Sequence, residues 1–243
     1  MMRALTVLAA LVVLAGCGSV EQDSTGSSDP VESEPTSSAQ VGECAVDSPE
    51  VTGARTLTSA DLDGDGSREP VRLTGPGGEC PDLLFAELGV GYVATDVKPG
   101  GPPVTTAFAV DVPGRDGELV VTSADHPRGG FQLRVYAAGD ATLVELEHQG
   151  QALVPFVALD VQEHPLSVDC TDGGVVLTEA VPHEPVGVVF TWDVKRTTYA
   201  VDGTEVTAGP TEEIAGNVLP RQLEAKYPDL VKHTAFESCR AAG

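Results

Sequence analysis

The stretch Asp61-Leu62-Asp63-Gly64-Asp65-Gly66-Ser67-Arg68-Glu69 decides how the rest of this sequence is interpreted. It places carboxylates at alternate positions and glycines where the backbone must turn sharply. Carboxylates folded into one turn repel each other by roughly 3 kcal/mol per pair at about 5 Å in an effective dielectric near 20. A hard cation with oxygen ligands removes this repulsion, so the stretch predicts a Ca²⁺ loop. The alternative is a solvated Gly/Asp turn whose carboxylates point apart into water.

The flanking sequence indicates strands on both sides of this loop. An EF-hand would need a glutamate at the twelfth position of the loop, and counting from Asp61 that position is Arg72. Residues 54–58 and 70–74 carry β-formers rather than a helical pattern. The loop therefore resembles the D-x-D-x-D-G-x-x-[DE] loops of FG-GAP and VCBS repeats, the blade modules of integrin-type propellers. That resemblance implies Ca²⁺ bound at a strand connection, with the ligands Asp61, Asp63, Asp65, the Ser67 carbonyl and Glu69.

The N-terminus has the organisation of an export signal. One positive charge, Arg3, precedes the apolar residues 4–14, which only Thr6 interrupts. This run is shorter than the about 20 helical residues that span a bilayer. The following Leu-Ala-Gly-Cys resembles the lipobox of bacterial lipoproteins. The resemblance implies a signal peptide over residues 1–16, a lipid on Cys17, and a protein anchored to the extracytoplasmic face of the cell membrane. An ordinary secretory signal is the alternative.

Residues 17–43 are predicted to form a disordered acidic tether. They are rich in Ser, Glu, Asp and Pro and contain no aromatic residue, so they cannot bury enough apolar surface to fold. A flexible segment of this length would hold the following domain roughly 25–30 Å from its anchor.

The charge of the chain excludes one class of partner. Loss of residues 1–16 removes Arg3, and the formal net charge changes from −23 to −24. Such a surface repels nucleic acid and anionic lipid, which require clusters of Lys and Arg. The excess of arginine over lysine, with abundant Gly, Ala, Val and Asp, is typical of a high-GC bacterium such as an actinobacterium.

The cysteines after Cys17 predict two disulfides. An even number of cysteines in an exported domain reads as a disulfide framework. Three pairings are possible, and we favour Cys44–Cys80 with Cys170–Cys239 because each joins neighbours in sequence. A zinc site is the rival interpretation, but no Cys-x-x-Cys pair occurs.

Residues 44–243 are predicted to form one β-rich domain, since about 200 residues suffice for one buried core. Val/Leu/Thr/Tyr-rich runs alternate with Gly, Pro and Asp, and Asp202-Gly203 is a hairpin signal. A short helix is expected over residues 220–227, from an N1-type proline to the stop at Pro228. Phe190 and Trp192 are two apart, so we expect both in the core. The predicted strands are 83–88, 92–97, 105–112, 118–122, 131–136, 142–147, 153–161, 175–181, 186–194 and 197–201.

A repeat underlies this pattern. Asp61, Asp111 and Asp160 each close a predicted strand, with spacings of 111 − 61 = 50 and 160 − 111 = 49 residues, the size of a four-stranded blade. The second copy has Pro113 and Arg115 in place of Asp63 and Asp65, so we expect no metal there, and Arg115 would neutralise the turn instead. Three blades are fewer than the four to eight that close a propeller. The predicted fold is therefore mainly β, either a partial propeller of three antiparallel blades or a β-sandwich.

Catalytic motifs are absent from the sequence. The five histidines lie in no H-E-x-x-H pattern, there is no G-x-S-x-G elbow, and Ser123-Ala124-Asp125-His126 is too local to converge as a triad. The sequence therefore favours a lipid-anchored, calcium-binding β module that binds an envelope protein or a cell-wall ligand and is not an enzyme. A hydrolase with an unrecognised site and a structural envelope lipoprotein are the alternatives.

Overall fold

The computed structural model describes residues 40–97, 102–125, 130–154, 165–183 and 190–241. The signal peptide and Cys17 predicted above lie outside the described residues. The first described elements form a small N-terminal cap: strands β1 (Gln40–Val41) and β2 (Cys44–Ala45) pair antiparallel, and the one-turn helix α1 (Pro49–Thr52) follows. The tether was predicted to run to Glu43, but Val41 is fully buried against the first large sheet, so the domain already includes this hairpin.

Three four-stranded antiparallel sheets make up most of the described chain, and in each sheet the strands follow one another in sequence order. Sheet 1 contains β3 (Arg55–Ala60), β4 (Glu69–Leu73), β5 (Leu83–Leu88) and β6 (Gly91–Asp96). Sheet 2 contains β7 (Val104–Val110), β8 (Leu119–Asp125), β9 (Phe131–Ala138) and β10 (Leu143–Glu145). A small hairpin of β11 (Glu147–His148) and β12 (Gln151–Ala152) follows. Sheet 3 contains β13 (Leu166–Thr171), β14 (Gly174–Pro182), β15 (Trp192–Asp202) and β16 (Glu205–Val218).

The three sheets stack face to face, with sheet 2 in the middle. In β8, Leu119 and Val121 pack into a core shared with sheet 3, whereas Val120 between them packs into a core shared with sheet 1. Both faces of β8 are therefore buried at these positions, which explains the consecutive apolar residues 119–121, because successive side chains of a strand point to opposite faces. Each fully buried Val or Leu contributes about 1.5–3 kcal/mol, so these two layers hold the sheets together.

The outer faces of the stack are covered by the ends of the chain. On sheet 1, the N-terminal cap buries Phe85 and Leu83. On sheet 3, helices α2 (Pro220–Lys226) and α3 (Pro228–Val231) place Leu223 and Leu230 against Trp192. The short helix expected over residues 220–227 is thus confirmed, although Pro228 begins a second helical turn rather than ending the structure.

The last described segment returns between sheets 2 and 3. Ala235 bridges Val168 of β13, and Arg240 bridges Val110 of β7. Between them Phe236 is fully buried and a 3₁₀ helix spans Glu237–Cys239. We call residues 233–240 the C-terminal wall.

Two disulfides are present with the favoured pairing. Cys44–Cys80 ties the N-terminal cap to the loop before β5, and Cys170–Cys239 ties β13 to the C-terminal wall. They close loops of 36 and 69 residues. In the loop-entropy picture each is worth about 3–4 kcal/mol.

The mainly β prediction is confirmed, and among the described residues no sheet closes on itself. Most predicted strands agree with observed ones within a few residues, but β13 and most of β16 were missed, and residues 153–154, predicted to begin a strand, do not lie in one. Residues 155–161 and 186–189, which belong to two of the predicted strands, lie outside the described residues. The third repeat copy at Asp160 also lies outside them. The first hairpin of sheet 3 turns at Asp172, which is 172 − 111 = 61 residues after Asp111, so the spacing of about 50 residues does not describe sheet 3.

Two local predictions need correction. The hairpin at Asp202 exists, but Asp202 pairs with Glu205, so the turn residues are Gly203 and Thr204. The core prediction is right for Trp192 and wrong for Phe190, which is 43% exposed. Phe190 precedes the first residue of β15, so strand alternation does not apply to it, and its ring stands edge-on to Trp192 with the centroids 4.9 Å apart.

Candidate metal site and neighbouring turns

The loop between β3 and β4 is folded by its own carboxylates. Asp61 accepts hydrogen bonds from the backbone amides of Gly64, at 2.9 Å, and Gly66, at 3.0 Å. Both glycines have positive φ, +75° and +87°, a conformation that L-residues rarely adopt. Asp63 accepts the amide of Asp65 at 3.3 Å, and Asp65 accepts the amide of Ser67 at 2.7 Å. The chain is thereby wound so that alternate side chains point to the inside of the turn.

Three of the predicted ligands converge. One carboxylate oxygen from each of Asp61, Asp63 and Asp65 lies within 4.8 Å of the others; Asp61 is half-buried, and the other two are exposed. Each carboxylate offers about four lone-pair sites, so the amide hydrogen bonds leave acceptor capacity on every one of them. A set of hard, anionic oxygens suits Ca²⁺, whereas Mg²⁺ demands a tighter octahedron and gives up its water reluctantly.

The other two predicted ligands, Glu69 and Ser67, occupy different positions in the loop. Glu69 begins β4, and its Oε2 accepts the amide of Leu62 at 3.3 Å, beside Asp61 but outside the group of three carboxylates. Ser67 lies at the rim of the loop, and its amide is held by Asp65. Both residues flank the three converging carboxylates, and Glu69 fastens the end of the loop to its beginning.

The loop is anchored to the matching turn of sheet 2, which joins β7 to β8. Asp61 and Glu118 are doubly connected: the Glu118 amide donates to the Asp61 carbonyl at 2.6 Å, and the Asp61 amide donates to Glu118 Oε2 at 2.8 Å. Arg68 pairs with the same Oε2 at 3.4 Å and donates to the carbonyl of Ser59 at 2.6 Å. The backbones touch as well, because a Cβ built on Gly117 would lie 2.7 Å from the Leu62 carbonyl oxygen.

The turn that joins β7 to β8 also contacts turns of sheet 3. Arg115 lies near Asp111 and Asp116, as expected. Its guanidinium donates to backbone carbonyls, those of Asp116 and Gly117 in its own turn and that of Gly203 in the β15–β16 turn, 3.2 Å away. Partial burial lowers the pKa of Arg115, and the Asp116 carboxylate opposes that shift. Nearby, the Gly173 amide donates to the Pro113 carbonyl at 2.6 Å. The turns of all three sheets are therefore linked in series.

Other titratable groups lie away from the loop 61–69. Ser123 and Asp125 lie two apart on β8, and His126 lies outside the described part of the chain. His183 and Asp193 form a pair, Nδ1 to Oδ2 at 2.8 Å, at the end of the β14–β15 ladder. The pKa of Asp193 is lowered by this hydrogen bond and by the one that it accepts from the Asn217 amide.

One concave region was not visible in the sequence. A cavity of about 270 Å³ lies between sheet 2 and the C-terminal wall, lined by Thr106, Phe108, Ser123, Asp125, Phe131, Leu133, His233, Ala235, Glu237 and Arg240. Its two sides are at least 100 residues apart in the sequence, since the nearest lining residues are Leu133 and His233. Only the return of the chain along β7 and β13 brings them together, so no local pattern could have predicted it.

Within the described part of the chain, no helix is long and apolar enough to cross a membrane. Comparison of this chain with protein-family models, with curated proteins and with solved structures finds no match.

Proposed function

We propose that this protein is a lipid-anchored, extracytoplasmic β module that binds Ca²⁺ at residues 61–69 and acts by binding a partner at the cell envelope. The observation that carries the calcium proposal is the convergence of the Asp61, Asp63 and Asp65 carboxylates within 4.8 Å. Ser67 and Glu69 would complete the oxygen set. On this proposal the three stacked sheets are blade-like repeats, of which only the first keeps the metal ligands.

The position of the loop suggests what the ion would do. Without a cation, three carboxylates in one turn repel, and opening of the loop would relieve this repulsion. Opening would pull on Asp61, whose amide and carbonyl are both bonded to Glu118 of sheet 2. A bound Ca²⁺ would therefore stabilise the contact between sheets 1 and 2, and its role would be structural rather than catalytic.

Binding is favoured over hydrolysis by the cavities away from the loop. The cavity of about 270 Å³ has Asp125, Glu237 and Arg240 exposed to solvent, and a second cavity of about 410 Å³, beside Cys44–Cys80, has exposed or half-buried acidic residues. Catalytic acids and bases typically owe their shifted pKa values to burial and specific charge partners. The exposed charges of these two cavities are therefore assigned to binding rather than to acid–base catalysis on this proposal.

The location part of the proposal rests on the sequence of residues 1–17 and is supported by the disulfides, which persist in oxidising compartments. Cys17→Ala tests it. The variant should be released from membranes or be mis-processed, whereas a Cys17→Ala protein that still fractionates with membranes at the normal mature mass would overturn the anchor.

Calorimetric titration with CaCl₂ tests the metal site. The variant Asp63→Asn with Asp65→Asn should lose at least about tenfold in affinity, because each change removes an anionic ligand. The matched control is Glu224→Gln with Asp229→Asn, two exposed residues of α2 and α3 whose substitution changes the net charge equally. Equal losses in the two variants would show that Ca²⁺ only senses the overall negative charge, and would refute the site.

A further inference from the structure

We infer that the cavity between sheet 2 and the C-terminal wall binds a small zwitterion with an apolar side group, of the size of a free amino acid such as leucine. This inference goes beyond the proposed function, since it holds whether or not residues 61–69 bind calcium. It rests on the walls of the cavity, on the charges that line it, and on its size.

The floor of the cavity is a rigid face of sheet 2. Thr106 of β7 pairs with Ser123 of β8, and Ser123 pairs with Leu133 of β9, so these three residues form one row across the sheet. The next row toward the end of β8 pairs Asp125 with Phe131. The floor thus offers hydroxyl groups and a carboxylate beside an aromatic ring.

The opposite side, the C-terminal wall, is fixed at both ends. Ala235 and Arg240 are bridged to β13 and β7, the Cys170–Cys239 disulfide holds the wall between them, and Phe236 is fully buried. A site whose walls are held in place in this way pays little ordering entropy when a ligand enters.

The guanidinium of Arg240 is positioned to receive an anion. Its Cζ lies 3.9 Å from the centroid of the Phe108 ring, so the cation stacks on the aromatic face and its N–H edge is left for a ligand. Among the residues that the structure describes, no acceptor lies within hydrogen-bond distance of this guanidinium. A planar guanidinium binds a carboxylate through two parallel hydrogen bonds.

Two acidic side chains line the same cavity as Arg240. Asp125 and Glu237 both line it, and neither carboxylate forms an ion pair with a described residue. A ligand that carries a carboxylate and an ammonium group can bridge the unlike charges, and its apolar part can contact Phe131 and Leu133. A zwitterion also has no net charge, so the strongly acidic surface does not repel it as it would repel an anion.

The size of the cavity agrees with such a ligand. Its volume of about 270 Å³ lies just below the usual range for small-molecule sites. It has room for about nine groups the size of a water molecule, which is the number of non-hydrogen atoms in leucine.

Calorimetry and NMR titration of the mature, disulfide-bonded protein with L-leucine, L-leucinamide, N-acetyl-L-leucine and D-glucose test the inference. Leucinamide lacks the carboxylate and N-acetyl-leucine lacks the ammonium group, so each should bind at least about tenfold more weakly than leucine. Glucose distinguishes a zwitterion site from a sugar site, since the same hydroxyl and carboxylate groups could also bind a sugar.

Two variants test which side chain binds the carboxylate of the ligand and which binds its ammonium group. Arg240→Gln should weaken leucine at least about tenfold but should not weaken leucinamide, whereas Asp125→Asn should weaken leucine but should not weaken N-acetyl-leucine. Arg221→Gln, an exposed change on α2 outside the cavity, is the control. Because Arg240 covers Phe108, the fold of each variant is checked by its melting curve, and Asp125→Asn keeps the test valid if Arg240→Gln unfolds. No binding of leucine at about 10 mM, equal binding of all three leucine compounds, or binding of glucose alone would overturn the inference.

Discussion

Gly117 is the residue whose substitution most sharply tests the contact between sheets 1 and 2. It has φ +71° and lies against the loop 61–69, where an added Cβ would be 2.7 Å from the Leu62 carbonyl oxygen and 3.3 Å from that of Asp61. Gly173 has the same φ, +71°, and an added Cβ there meets nothing within 4 Å. The pair Gly117→Ala and Gly173→Ala therefore separates the cost of the backbone conformation from the cost of the contact.

The expected losses of unfolding free energy follow from the surroundings of these two glycines. A left-handed conformation costs a non-glycine residue about 1–2 kcal/mol, and the stiffer unfolded chain returns about 0.4–1 kcal/mol, so Gly173→Ala should lose about 1 kcal/mol of unfolding free energy. Gly117→Ala must in addition displace a backbone carbonyl beside the buried Leu62, which adds about 1–3 kcal/mol.

Urea unfolding at neutral pH measures both variants, and an unchanged m-value would show that the loss lies in stability. Melting temperatures should fall by about 2–4 °C per kcal/mol for a domain of this size. If the two variants lose the same free energy within about 0.5 kcal/mol, the loop does not press on the turn of sheet 2 and the reasoning is refuted.

Three further predictions concern single contacts. Glu118→Gln keeps an oxygen for the Asp61 amide but loses the charge facing Arg68, so it should lower the free energy of unfolding in urea by about 0.5–1.5 kcal/mol. Glu118→Ala should lower it clearly more. Equal losses in the two variants would mean that the hydrogen bond from the Asp61 amide contributes nothing. Cys170→Ser with Cys239→Ser should lower the unfolding free energy by about 4 kcal/mol, and an unchanged melting temperature would show that the C-terminal wall does not need its disulfide. The hydrogen bonds that lower the pKa of Asp193 stabilise the folded state above the ordinary carboxyl pKa of about 4, and this stability is lost as the pH falls through the lowered pKa. The wild type should therefore be more stable than Asp193→Asn at pH 7, and the difference in stability should shrink below about pH 4. A difference that is independent of pH would contradict this origin.

Much of the fold could be predicted from local patterns. Strands β5, β6 and β9 were predictable because their apolar and β-branched residues lie between glycine, proline and aspartate. Each of these strands contributes buried side chains to the core. The disulfide pairing agreed with the order of the cysteines in the sequence, although Cys170 and Cys239 meet only because the C-terminal wall returns along β13.

The errors have physical causes. Strand β13 alternates Leu166, Val168 and Cys170 with polar residues, a period-2 signal that a search for continuous apolar runs passes over. The repeat spacing failed in sheet 3 because the equivalent turn there, at Asp172, lacks the long acidic loop, so nothing but spacing marked it. Phe190 was misplaced because strand alternation was applied before the strand begins.

The candidate sites also differ in how far they could be predicted from local sequence. The loop 61–69 is local, so its candidate metal ligands could be named from nine consecutive residues, and the structure brings three of these side chains together. Its partner Glu118 and the cavity beneath the C-terminal wall depend on contacts between distant segments, which only the three-dimensional fold provides.

Melting curves in EDTA and in millimolar CaCl₂ test the central claim most directly. Because Ca²⁺ would bind the folded state, a hundredfold excess over its dissociation constant adds about 2.7 kcal/mol, which raises the melting temperature by several degrees. Asp63→Ala with Asp65→Ala should remain folded and lose this calcium-dependent shift, since the cores and disulfides do not involve these exposed side chains. Wild-type curves that coincide in EDTA and in calcium would contradict the account and identify the loop as an acidic turn in water.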